Sequence, residues 1–212
     1  NAAFTIQFGS VGILTRFGQI VGDPLTPGLH LKIPFIDNVL VYRTQKIVYQ
    51  TLYTTTSGTT SSSSTYTNEP AEDIIRSDSG VQFSDEGQAI TSQADYQDVA
   101  IDTTTKDGQQ VKLTYSLRFA INPDKVKEIA NNLGSESEVV EKIIKTDSRV
   151  WARNIPRNYS ALDLYTGSID KVSQEIKDVL KPIFEQNGLT LDEFYIRSIH
   201  FQEQYVQTIE EK

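Results

Sequence analysis

Thr26-Pro27-Gly28-Leu29-His30-Leu31-Lys32-Ile33-Pro34-Phe35-Ile36-Asp37 is the stretch on which the architecture turns. Pro27-Gly28 is a turn dipeptide, so Leu29 to Ile33 reads as a short strand leaving that turn. Pro34 then fixes φ and removes a backbone donor, which closes the strand. Upstream, Val11, Ile13, Thr15 and Phe17 alternate with Gly12, Leu14 and Arg16, a period of two with both faces partly apolar. Asp23-Pro24 separates that run from the quoted stretch, and Val39 to Tyr49 is another extended segment rich in Val, Ile and Tyr. Residues 3–50 therefore read as short strands punctuated by turns.

At Thr51 the composition changes. From Thr51 to Thr67 almost every residue is Ser, Thr, Gly or Tyr, with Ser61-Ser62-Ser63-Ser64 at the centre. Such a run buries too little apolar surface to offset its ordering entropy, so it is expected as a mobile loop, with a Thr-rich hairpin arm as the alternative. The loop continues with weak strand hints at Gly80–Phe83 and Ala89–Thr91, which places an insert at about residues 51–97.

Ordered structure resumes at Val99. Ile101, Thr103 and Thr105 run into Asp107-Gly108, a strong hairpin turn. Beyond it Val111, Leu113, Tyr115, Leu117, Phe119 and Ile121 alternate with Lys112, Thr114, Ser116, Arg118 and Ala120. That alternation predicts a strand with one buried and one wet face. Asn122-Pro123 opens a helix, Gly134 ends it, and Ser135 with Glu138 forms a capping box for the next. A third helix is expected over about 168–186, with Pro182 inside it and Asn187-Gly188 as its stop. Residues 189–201 return to extended structure and Gln202 onward looks helical. The class is α+β, with helices packed on a mostly antiparallel sheet.

Composition narrows the function. The chain of 212 residues has no cysteine, which removes disulfides and thiolate chemistry. Its net charge of −8 argues against nucleic acid as a partner, since phosphate contacts need basic clusters. Between Glu69 and Asp107 ten acidic residues face only Arg76 and Lys106, so that stretch carries the whole −8 and the rest is neutral. No apolar run approaches the roughly 18–20 residues that span a bilayer. Nucleotide-binding, metalloprotease and serine-hydrolase motifs are absent, and His30 and His200, the two imidazoles, both lie in predicted strands. No enzyme and no cofactor is expected. Asp78, Asp85, Glu86, Asp95 and Asp98 are hard oxygen ligands for Ca²⁺, yet their spacing fits no EF-hand loop. Asn158-Tyr159-Ser160 satisfies a glycosylation sequon at about the frequency of chance.

The block from Gly12-Ile13-Leu14-Thr15-Arg16-Phe17-Gly18 through Asp37, the Asp107-Gly108 hairpin, and Gly188-Leu189-Thr190-Leu191 running to Ile196-Arg197-Ser198-Ile199 form one grammar. It resembles the SPFH or Band 7 family of stomatins, prohibitins, flotillins and bacterial regulators of membrane proteases. The resemblance covers about residues 8–50 and 98–212, with the acidic insert as the departure. It implies a membrane-proximal β-rich subdomain at 1–105, an α/β subdomain at 106–201, and the start of a coiled-coil helix at 202–212. It also implies a non-enzymatic scaffold on a lipid bilayer, a homo-oligomer closing into a ring or cage. Such a scaffold organises membrane microdomains or restrains a membrane-bound AAA protease or other membrane proteins. Family members carry an anchor just before the block that opens here. Asn1 is not an initiator residue, so an anchor preceding it is expected, the alternative being that none was there. The competing function is a protein-binding adaptor whose acidic insert recruits a basic partner.

Two sets of residues are candidates for contact. Ile33-Pro34-Phe35-Ile36 is either the packed end of a strand or, as the resemblance implies, a segment at the lipid surface, joined there by Phe4, Ile6 and Phe8. Arg149, Arg153 and Arg157 lie four apart beyond the apolar stripe of the second helix. They form either a solvated face or a subunit interface against Asp163, Asp170 or Glu175 of a neighbour.

Overall fold

A computed structural model describes residues 2–53 and 94–201, and its elements are those of an α+β protein. They gather into two compact units, each assembled from three chain segments. One comprises the described parts of 1–48, 117–151 and 177–193; the other comprises the described parts of 49–116, 152–176 and 194–212.

The first unit opens with β1 (Ala3–Ile6), β2 (Ser10–Arg16), β3 (Gln19–Ile20), β4 (Gly28–Leu31) and β5 (Asp37–Arg43). β1 and β4 form an antiparallel ribbon, and β2 lies between β3 and β5 in a second antiparallel sheet. Only Phe17 and Gly18 connect Arg16 to its partner Gln19, and both have positive φ, 51° and 82°. Two such residues in a row match the right-handed twist of a tight hairpin. Gly12 makes room for Ile6: a Cβ there would meet Ile6 Cδ1 at 2.3 Å.

Helical structure follows the sequence signals, with two additions. The Asn122 side chain accepts from the Asp124 N–H and caps a 3₁₀ turn at Pro123–Lys125, which leads into α1 (Val126–Asn132). Gly134 takes φ 99°, and the Ser135–Glu138 capping box starts α2 (Glu136–Val139). The expected second helix then passes through a π-helical stretch, Val140–Lys145, before α3 (Thr146–Asn154). Strand and helix are tied locally: the Arg43 guanidinium meets Glu136 at 2.6 Å, and the Tyr42 hydroxyl donates to the Gly134 carbonyl at 2.5 Å. Burial pushes the Tyr42 hydroxyl up to about 12.

A five-stranded sheet holds β6 (Ile47–Leu52), β7 (Tyr96–Val99), β8 (Ile101–Thr104), β9 (Gln110–Ile121) and β10 (Leu189–Phe201). Its order is β10-β9-β6-β7, with β8 on β9. β6 and β7 are parallel, Tyr49 opposite Tyr96 and Leu52 opposite Val99. Thr51, Leu52, Tyr96 and Gln97, read from composition as insert, are thus strand residues. Thr51 is fully buried; its hydroxyl donates to the Tyr115 carbonyl and accepts the Tyr115 N–H at 2.8 Å. A threonine can satisfy a strand and its own hydroxyl at once, which composition does not reveal. Residues 54–93, with the serine run, the two strand hints and most of the acidic insert, lie outside the described residues, as does the helix expected at 202–212.

β9 corrects a second expectation. Its alternation is present, but Thr114 and Ser116 on the face expected to be wet are buried. The Thr114 and Ser198 hydroxyls share a hydrogen bond at 2.7 Å, and Ser198 donates to the Tyr53 hydroxyl at 3.2 Å. Small hydroxyl side chains that satisfy one another are buried at little cost. After the 3₁₀ turn Ile155–Asn158, a further capping box, Ser160 with Asp163, starts α4 (Ala161–Thr166), a helix the sequence reading did not separate. α5 (Ile169–Gln186) falls where it was expected, with Val172, Ile176, Leu180 and Phe184 buried and Pro182 inside it.

Candidate functional site

The first unit carries an end where apolar side chains meet solvent. Phe17 is 81% exposed, Phe35 107%, Leu29 73% and Leu31 77%, and Ile33, Pro34 and Ile36 are exposed as well. The register brings Phe17 and the 33–36 turn together, while Leu29 and Leu31 stand on the strand that leads into that turn. Arg16 pairs with Asp37 at one end of the β2–β5 ladder, so the Phe17-Gly18 turn and the 33–36 turn project from that same end. The Phe17 N–H points to the Ile36 carbonyl at 3.5 Å. Lys32 donates to the Ala2 carbonyl, which brings the start of the described chain alongside Ile33.

A buried carboxylate organises this end. The Asp37 side chain is 1% exposed and accepts from Arg16 Nε at 2.7 Å and Nη2 at 3.1 Å, a bidentate fork. It also accepts the Ile33 N–H at 2.8 Å, while the Asp37 N–H returns to the Ile33 carbonyl. One side chain therefore closes the 33–37 turn and holds the residue next to Phe17. The Phe35 backbone sits at φ 69° and Phe17 at 51°, a region L-residues enter at a cost. Exposed aromatic rings on strained turns, clasped from beneath, do not arise from core packing.

The other candidates for this surface separate. Ile6 is 2% exposed and fills the space over Gly12, so it is core and presents nothing to a membrane. Phe8 is exposed but lies at the opposite end of β2, where Thr44 donates to the Gly9 carbonyl. Phe4 is half-buried against His30, ring centroids 5.8 Å apart. The sequence reading missed Phe17, Leu29 and Leu31. Phe17 fits a strand alternation, and only its pairing with Gly18 could have marked it as a turn tip.

The interface candidates are likewise dispersed in character. Arg153 and Arg157 are exposed and Arg149 is half-buried. Asp163 is engaged by Ser160, and Glu175 accepts from the Tyr159 hydroxyl at 2.5 Å. Asp170 is exposed in the first turn of α5. Of the two imidazoles, His30 Nε2 bonds the Thr26 carbonyl at 2.6 Å and His200 stacks on Tyr53 at 4.1 Å, both structural contacts.

Electrostatics set an acid limit. The Arg16 hydrogen bonds, then the Ile33 N–H, hold the Asp37 carboxyl below the ordinary carboxylate range. Arg118 and Lys46 do the same for Asp192, and Ser160 for Asp163. Carboxyls depressed in the folded state contribute stability above their unfolded value of about 4, and lose it as pH falls through the lower folded values. Thermal melts should therefore hold level from pH 7 to about 5 and drop below about 4. Asp37→Asn should flatten that drop, and a profile identical to the parent would refute the assignment.

Among the described residues no helix is long and apolar enough to cross a membrane. Comparison with curated proteins returns no match. A family model described as SPFH domain / Band 7 family matches residues 4–212. With nearly the whole chain matched, the protein belongs to the SPFH/Band 7 family, a family of membrane-associated, scaffold-like and generally non-catalytic proteins.

Proposed function

We propose that this protein is a non-enzymatic membrane scaffold that assembles with copies of itself into a ring or cage on one leaflet. The observation that carries the reading is the apolar end built by Phe17, Leu29, Leu31, Ile33 and Phe35 beside the start of the described chain. An anchor preceding Ala2 would enter the molecule at that end and bring those rings to the headgroup level. Residues 1–105 would then be the membrane-proximal subdomain and 106–201 the distal one, with a coiled coil beginning near Gln202.

Lateral contacts would come from subdomain edges and from Arg149, Arg153 and Arg157 of one copy against Asp163, Asp170 and Glu175 of the next. Asp170 is the carboxylate in that set with no hydrogen bond or ion pair among the described residues. Each contact would be weak alone. Subunits held in one plane raise their effective concentration, so many weak edges become a stable assembly. A closed assembly would enclose a patch of bilayer, sorting lipids and membrane proteins or restraining a membrane-bound AAA protease.

The test is the mass of the full-length protein extracted in mild detergent, followed by imaging. A closed particle of many subunits is expected. A monodisperse monomer or dimer would overturn the scaffold, and the acidic stretch from Glu69 to Asp107 as a recruiter of a basic partner would replace it.

A further inference from the structure

The second unit contains a groove of about 570 Å³ where α3 and the 3₁₀ turn Ile155–Asn158 approach the ends of β8, β9 and β10. The groove is broadly open to solvent, so a ligand lying in it would stay partly exposed. Its lining carries an excess of positive charge. Arg153, Arg157 and Lys112 line it against a single carboxylate, Asp102, in a chain of net charge −8. Lys112 and Asp102 meet at 3.5 Å and cancel one another. The two guanidiniums remain, exposed, without a hydrogen bond or ion pair among the described residues.

The walls are fixed in advance. Buried Thr103 donates its hydroxyl to the Arg153 carbonyl at 2.6 Å, which pins the end of α3 to β8. Ile155 and Pro156 are buried beneath the turn, and this leaves Arg157 facing out. On the far side His200 stacks on Tyr53, whose hydroxyl donates to the Lys112 carbonyl at 3.0 Å. Thr104 and Gln110 add a hydroxyl and an amide to the lining. The backbone that presents the two guanidiniums is thereby fixed, and only their exposed side chains have to be ordered when an anion binds.

We propose that this groove binds a phosphate monoester carrying neighbouring hydroxyl groups. Guanidinium forks match tetrahedral oxyanions through paired N–H···O bonds. The charge count selects among anions. A phosphomonoester carries about −1.5 to −2 near pH 7 and matches two free guanidiniums, whereas a single carboxylate leaves one unmatched. The Asp102 carboxylate, the Gln110 amide and the Thr104 hydroxyl are suited to the hydroxyls of a polyol rather than to a second acidic group. A soluble polyol phosphate and the headgroup of a phosphomonoester lipid share this chemistry. The site is independent of the scaffold reading, although a ligand here would compete with any subunit contact made through Arg153 and Arg157.

Binding of glycerol 3-phosphate to the 212-residue chain, followed by calorimetry and backbone NMR shifts, tests it. Vesicles containing phosphatidic acid, against phosphatidylcholine alone, form the second arm. Saturable binding of glycerol 3-phosphate but not glycerol is expected, with shifts at Thr104, Gln110 and His200. Arg153→Gln and Arg157→Gln should each weaken it at least about tenfold. Arg153→Lys/Arg157→Lys, which keeps charge but not the fork, should recover only part of the loss. Vesicle binding that needs both arginines, without soluble binding, would assign the phosphate to a lipid. The proposal is overturned if neither ligand shows arginine-dependent binding, or if citrate binds as tightly as the phosphate. It is likewise overturned if the arginines matter only for self-association.

Discussion

Vesicle binding by the Phe17→Asn/Phe35→Asn double variant is expected to fall by roughly 10–150-fold while its melting temperature rises. Full burial of one phenylalanine ring is worth about 1.5–3 kcal/mol. Rings seated at an interface realise about half of that, so two together supply about 1.5–3 kcal/mol, which sets the loss in partitioning. The gain in stability has a separate origin. Both rings are exposed, so no packing is lost on truncation. Both backbones have positive φ, and Asn enters that region far more readily than Phe. Each substitution should return about 0.5–1 kcal/mol of strain, a few degrees in total for a chain of this size. Phe8→Asn is the control. It removes an equally exposed ring from the other end of β2 and should leave vesicle binding unchanged. If Phe8→Asn weakens binding as much as the tip variants do, the apolar end is not the contact surface. Opposite movement of affinity and stability is the signature of residues retained for contact rather than for folding.

The sequence made the fold legible wherever a local rule settles the matter. The Asp107-Gly108 hairpin, the Asn122 cap, the Ser135–Glu138 box and the Gly188 stop each depend on a few adjacent residues, and each stands where it was read. What escaped depends on partners distant in sequence. Thr51 looks like the beginning of a polar loop until Tyr115, 64 residues away, occupies its hydroxyl. Thr114 looks solvated until Ser198 arrives across the sheet. The exposed apolar end was half legible for the same reason. Ile33-Pro34-Phe35-Ile36 is conspicuous as a string, whereas Phe17 joins it only through the Arg16–Asp37 pairing. An apolar residue in a short strand gives no sign of which face it shows, and Ile6 turns to the core. The groove was least legible. Arg153 and Arg157 were visible as an i, i+4 pair, but Thr104, Gln110 and His200 come to them from three separate strands.

Phe194→Ala should have the opposite sign from the tip variants and the largest effect of any single substitution considered. Phe194 is 2% exposed, and its ring stacks on Tyr115 at 5.0 Å, which in turn lies 6.1 Å from Tyr49. The three rings cross β10, β9 and β6 as one row, so truncating the outer ring opens a cavity that a paired backbone ladder cannot collapse. Loss of a buried phenylalanine costs about 3–5 kcal/mol, and the stacked pair adds about 0.5–1.5 kcal/mol. At about 2–4 °C per kcal/mol for a chain of this length, the melting temperature should drop by roughly 7–25 °C. Tyr53 and His200 stand on β6's exit and β10's far end in the same unit, so loosening this row should also weaken phosphate binding in the groove before the protein unfolds globally. Vesicle binding through Phe17 and Phe35 should persist at temperatures where the variant remains folded. A Phe194→Ala protein that melts within about 2 °C of the parent would mean that the row is not cooperative and that the sheet tolerates the cavity. The same residue type thus stabilises the fold at Phe194 and strains it at Phe17 and Phe35, and backbone angle and burial, not hydrophobicity, decide the sign.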